Sequence, residues 1–140
     1  MKVNAGIRLQ LQAAEALAKD EYPEEFGIFH HNLGTSYTVA SRVLENEDEK
    51  RKALKSSVAH LERSFEVRDP EEALQYWIAS SRSLAEALID RANIEVGAMR
   101  LQTIARARAV LNAASAKIDE GEHPFQWAEL RSQFARIPAE

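Results

Sequence analysis

The sequence predicts an all-α chain of about six helices joined as successive antiparallel hairpins, and three observations carry that expectation. Apolar residues recur at steps of three and four through most of the 140 residues, the spacing that lines one side of an α-helix. Helix-start and helix-stop residues punctuate the chain at Pro23-Glu24-Glu25, Asn46, Asp69-Pro70-Glu71-Glu72 and Gly121 to Pro124. One side-chain pattern also returns twice. His30, Leu33, Gly34 and Tyr37 are followed at the same mutual spacing by Trp77, Ser80, Ser81 and Leu84, 47 residues on, and by Trp127, Leu130, Arg131 and Phe134 after 50 more. Such self-similarity marks stacked helical units that bury their apolar sides only against their neighbours.

The elements follow in order. Ile7, Leu11, Ala14, Leu17 and Ala18 form one stripe, which predicts a helix from Ile7 to about Lys19. Pro23 opens the second helix at its first turn, where a missing N–H costs nothing, and Glu24 and Glu25 meet the positive end of its dipole. This helix is expected to reach about Leu44. Asn46 with Glu49 reads as a capping box, and Glu47–Arg51 and Asp48–Lys52 as i,i+4 ion pairs on the next helix. That helix carries the stripe Leu54, Val58, Leu61 and Phe65. Asp69-Pro70-Glu71-Glu72 is expected to end it and start the fourth, whose stripe runs through Leu74, Trp77 or Ile78, Ser81, Leu84 or Ala85, and Leu88 to about Ala92. A break is expected between Asn93 and Gly97. Ile104, Ala107, Leu111, Ala114 and Ile118 then lead to Gly121, read as a left-handed cap, and His123-Pro124 opens the last helix. The single domain 1–140 thus divides into a half-repeat 5–20, repeats 23–68 and 70–119, and a half-repeat or capping helix 124–137.

Composition bounds the function. With 18 basic and 22 acidic side chains interleaved along the chain, the net charge is −4, so no broad basic field draws in nucleic acid. The absence of cysteine excludes thiol chemistry and suits a reducing compartment. Met1-Lys2-Val3-Asn4 lacks the apolar core of a secretory signal, and no apolar run has the length of a membrane span. The expectation is a soluble, cytoplasmic protein without a membrane contact.

The large, Leu-small, aromatic spacing of His30, Leu33, Gly34 and Tyr37 resembles the first helix of a tetratricopeptide repeat (TPR) unit. Ser57, Leu61 and Ser64 ahead of Asp69-Pro70 are similar to the second helix of that unit. The stretch Tyr22-Pro23-Glu24-Glu25-Phe26 through Asn32-Leu33-Gly34-Thr35-Ser36-Tyr37 resembles the longer TPR variants of bacterial arrays, some of which accompany CHAT protease domains. The resemblance implies a TPR-like solenoid whose concave groove is lined by the first helices. On this chain the lining would be Ile28, His31, Asn32, Thr35, Thr38 and Val39, then Gln75, Ile78, Arg82, Ala85 and Glu86. The best-known TPR groove clamps a peptide's terminal carboxylate with Lys, Asn and Arg. Here His31, Thr35 and Ile78 stand at such places with Arg82 as the one cation, which does not support that clamp.

The leading expectation is therefore a non-enzymatic module, a scaffold or adaptor that holds a peptide or helix of a protein partner. An alternative is assembly or homo-oligomerisation through the end helices, with Trp127, Leu130, Phe134 and Ile137 as an apolar interface. A third reading, a helical enzyme or ligand-binding bundle, would use His30 or His31 with a carboxylate, but no pair of competent residues stands at a mechanistic spacing. His30-His31 does not read as a metal site, because adjacent helical residues point about 100° apart. His30 reads as a packed, hydrogen-bonded histidine, and His60 and His123 as surface residues. Arg100, Arg106 and Arg108 read as solvated. No serine stands in a nucleophile elbow, and no cofactor or metal is expected.

Overall fold

A computed structural model describes residues 5–16 and 19–140. Among these residues there are six α-helices and no strand: α1 (Ala5–Ala16), α2 (Pro23–Val43), α3 (Glu47–Phe65), α4 (Leu74–Ile94), α5 (Gly97–Ser115) and α6 (Pro124–Arg136). Leu17 and Ala18 of the first stripe, and Met1 to Asn4, lie outside the described residues. No described helix is long and apolar enough to cross a membrane.

Each helix packs on the next, and α2 also packs on α4 and α4 on α6. Every second helix thus forms a continuous row. The α3 and α5 backbones are not in close contact, and meet instead through the Arg106–Glu62 ion pair and the side chains of Val58, Leu61 and Ala107. Three apolar clusters fill the interior. Ile7, Ala14, Leu33, Tyr37 and Ala53 close the α1 end, Val58, Leu61, Leu84 and Leu88 the middle, and Ile78, Ala85, Leu111 and Leu130 the α6 end.

Small residues set the closest approach. At Gly34 an added Cβ would collide with the Leu61 side chain and stand 3.1 Å from the Ser57 carbonyl oxygen. That contact lets the Ser57 hydroxyl cross from α3 to donate to the Gly34 carbonyl at 2.7 Å. Ser57, Leu61 and Ser64 on α3 are fully buried, and Ala107, Leu111 and Ala114, 50 residues on, repeat the arrangement on α5.

The repeat register differs from the one expected. α2 and α4 are both 21 residues long and begin 51 residues apart, at Pro23 and Leu74. Phe26, His30, Leu33, Gly34 and Tyr37 therefore correspond to Trp77, Ser81, Leu84, Ala85 and Leu88, and the 47-residue offset is corrected. The cause lies at Pro70. The Asp69 carboxylate accepts from the Glu71 N–H at 2.8 Å, and the Asp69 carbonyl from the Ala73 N–H at 2.7 Å, so Pro70 to Glu72 form a turn ahead of the helix. Asp119 builds the same turn before α6, accepting from Gly121 at 2.6 Å and His123 at 2.7 Å. Gly121 is thus held by Asp119 and is not left-handed. Instead Gly97, with φ +64°, turns the chain into α5.

Other local expectations hold. Asn46 accepts from the Glu49 N–H at 3.0 Å, and Arg51 pairs with Glu47 at 3.5 Å. Asp48, however, pairs with Arg51 at 3.0 Å rather than with Lys52, because the longer guanidinium reaches both carboxylates of the first turn.

Candidate functional site

The residues expected to line the groove separate into three groups. Thr38, Ile78 and Ala85 are core. Thr38 is hydrogen-bonded to Ser57 at 2.7 Å, and Ile78 packs with Leu111, Ala114 and Leu130, leaving no surface for a ligand. The correction follows from the 51-residue register, which places Ile78 and Ala85 opposite the buried Gly27 and Gly34.

A second group, on α4, is engaged by α6 and α2. Gln126 donates to Gln75 at 3.2 Å, and Arg82 is ion-paired with Glu129. Gln133 donates to the Arg82 carbonyl at 2.8 Å. Arg136 grips Glu86 with two bonds of 2.8 Å, and Arg42 of α2 reaches Glu86 at 2.8 Å and Asp90 at 3.0 Å. The bond from Arg136 first, and the nearby charges with it, hold the Glu86 carboxyl below its usual range. This charged ladder ties α2, α4 and α6 together.

The third group stays open. On α2, Ile28 and Val39 are 39% and 61% exposed and Asn32 is exposed, while Thr35 is half-buried and bonds only to the Asn32 carbonyl of its own turn. Tyr76 of α4, 52% exposed, borders the same end, with the Arg68 guanidinium over its ring.

His31 does not face this open stretch freely. Its Nδ1 stands 3.0 Å from the Ser80 hydroxyl and 3.3 Å from Arg68, and Ser64 donates to Ser80 at 3.1 Å. Arg68 also donates to Ser80 and, at 3.2 Å, to the Tyr76 carbonyl. Burial, and then the Arg68 charge, lower the His31 pKa to about 4, so its ring is neutral, and with the Arg68 guanidinium also directed at Nδ1 that nitrogen is the acceptor of the Ser80 hydrogen bond. A serine and a histidine at this distance suggest a nucleophile and its base. Ser80 is fully buried and already bonded to three side chains, so the cluster locks α2, α3 and α4 together and leaves no room for a substrate.

His30 is packed and hydrogen-bonded as expected, but its partner is His60, Nδ1 to Nδ1 at 2.9 Å. His60 is therefore not a free surface residue; its ring also stacks on Tyr37. Burial, and next the charges of His60 and Arg63, bring the His30 pKa to about 4, and burial lowers that of His60. Among the described residues neither His30 nor His31 bonds to a carboxylate. Among the described residues no group of three or more His, Asp or Glu is placed to hold a metal ion.

The expected end interface is also redistributed. Leu130 is fully buried, and Trp127, Phe134 and Ile137 are partly buried against the core of α4 and α5. Arg131 lies beside them, its guanidinium 5.7 Å from both the Trp127 and Phe134 ring centres. α6 caps the preceding hairpin because its apolar side has α4 and α5 to pack on.

The sequence reading missed the partners rather than the residues. Ser80, Arg68, Glu129, Gln133, Arg136 and Arg42 have no helix-local signature, yet these pairs joining alternate helices, such as α2 to α4 or α4 to α6, lie 44 to 51 residues apart. Complementary side chains one repeat apart were the available signal. Comparison with known proteins finds no matching family model, no matching curated protein and no matching solved structure.

Proposed function

We propose that the chain is a non-enzymatic interaction module, a TPR-like solenoid that receives a peptide or helix of a protein partner along α2. The observation that carries this reading is the open stretch Ile28, Asn32, Thr35 and Val39: an exposed, uncharged surface beside a ladder whose charges are all internally matched. Apolar side chains interleaved with amide and hydroxyl groups suit a partner's apolar residues and backbone polar groups together. The row α2, α4, α6, closer in backbone than α3 and α5, supports a superhelical curvature with this row inside. A setting in the cytoplasm, where a cysteine-free chain is at no disadvantage, accords with the same reading.

In the terminal-helix reading, Leu130 is buried within the chain, while Trp127, Phe134 and Ile137 are partly covered by α4 and α5. An Asn32→Ala, Val39→Asp double variant tests the α2 reading. Captures from native cell extract with the intact chain and with the variant are compared, after melting curves show the same fold. A partner held by the wild type and lost by the variant is expected, and equal recovery with both would overturn the assignment.

A further inference from the structure

On the opposite side of α2 from this stretch lies a cavity of about 340 Å³ between α1, α2 and α3. Its volume is within the roughly 300–1,000 Å³ of small-ligand sites. Leu11, Ala14 and Phe26 give it apolar walls, and among the described residues His30, His60, Glu15 and Arg63 supply its polar side chains.

The chemistry of those groups is specific. Two neutral imidazoles bonded Nδ1 to Nδ1 must carry opposite tautomers, so one ring offers an Nε2–H donor and the other a bare Nε2 acceptor. Neither Nε2 has a hydrogen-bond partner among the described residues. The two charges at the rim are at most weakly engaged among the described residues. Glu15 has no ion pair among the described residues, and Arg63 reaches only Glu66, at 3.9 Å. The Arg63 guanidinium instead rests 5.4 Å from the Phe26 ring centre, at the edge of the apolar wall.

An anion alone would leave Glu15 unmatched and repelled, and a cation alone would be repelled by Arg63, whose charge Glu66 offsets only at 3.9 Å. A ligand carrying both charges on a short apolar body matches each polar side chain of the described lining. We propose that this cavity binds a free α-amino acid with an apolar side chain, its carboxylate toward Arg63 and the imidazole donor, and its ammonium toward Glu15 and the imidazole acceptor. The side chain then lies against Leu11, Ala14 and Phe26. This site is independent of the partner surface on α2, since Phe26 and His30 point away from Ile28 and Val39 on the same helix.

Calorimetric titration of the full chain at pH 7 with L-leucine and L-phenylalanine tests the assignment, with 3-phenylpropanoate and 2-phenylethylamine as analogues that each lack one charge. At least one amino acid is expected to bind with a Kd of about 1 mM or tighter, and each analogue about tenfold more weakly than L-phenylalanine. Glu15→Gln and Arg63→Gln, both at exposed positions, are expected to keep the wild-type melting curve and weaken binding about tenfold each. Absence of saturable heat from both amino acids up to about 10 mM would overturn the proposal. So would wild-type affinity in both variants, or 3-phenylpropanoate binding as tightly as L-phenylalanine.

Discussion

α2 and α4 occupy equivalent places in the helix row, yet their surfaces have opposite characters. On α4, Gln75, Arg82, Glu86 and Asp90 meet partners on α6 or α2. On α2, Ile28, Asn32 and Val39 meet none, and Arg42 is the only member drawn into the ladder. On the proposed reading, the difference separates holding the stack together from receiving a partner. A surface whose charges are already matched gains little from a ligand, because binding must first break bonds of equal quality. An uncharged, half-apolar surface has no such bonds to lose.

Four experiments sharpen that contrast. The largest effect belongs to the α4–α6 contact: Leu130→Ala, which empties a fully buried site, is expected to cost about 2–5 kcal/mol in urea denaturation and to speed amide exchange in α6 before the other helices. The proposed partner surface on α2 should survive this change.

Acid gives the next effect. His30 and His31 have folded-state pKa values of about 4 against an ordinary 6.5, so the unfolded chain takes up protons first as pH falls. Their contribution is complete above pH 6.5 and is lost between pH 6.5 and about 4, by on the order of 2–3 kcal/mol for each histidine. Denaturation at pH 7 and pH 4 measures the total, to which His60, also lowered by burial, adds. In His31→Gln the loss over this interval should be smaller.

Glu86→Gln leaves Arg136 and Arg42 without their shared carboxylate, on a side chain 23% exposed, and is expected to cost about 1 kcal/mol, less in high salt. The smallest effect on stability, within about 0.5 kcal/mol, is expected for the Asn32→Ala, Val39→Asp pair, although it removes partner binding. A His31→Ala, Arg82→Ala pair would not draw this distinction, since both residues hold helices together.

Much of the helix layout was legible because its signals are local. Pro23 and Asn46 mark the starts of α2 and α3 through groups within one turn, and the break before Gly97 follows from a residue that tolerates positive φ. Pro70 misled because the same Asp-Pro-Glu-Glu sequence suits a helix start and a turn closed by the aspartate carboxylate, and only the Ala73–Asp69 bond decides between them. That one choice shifted the repeat register by four residues and carried Ile78 from the core onto the expected surface. The stripe positions withstood the shift, since four residues is close to one helical turn. The site was less legible. His30–His60, His31–Ser80 and Arg82–Glu129 join residues 30 to 49 apart, at distances that periodicity within one helix does not constrain.

Val39 and Met99 are exposed to nearly the same extent, 61% and 59%, on α2 and α5 respectively. Placing one photoreactive residue at each position in turn, and irradiating in native extract, tests most directly whether α2 receives the partner. Covalent capture of a discrete protein from position 39 and not from position 99 is the predicted result. Equal capture at both, or capture from position 99 alone, would contradict the account.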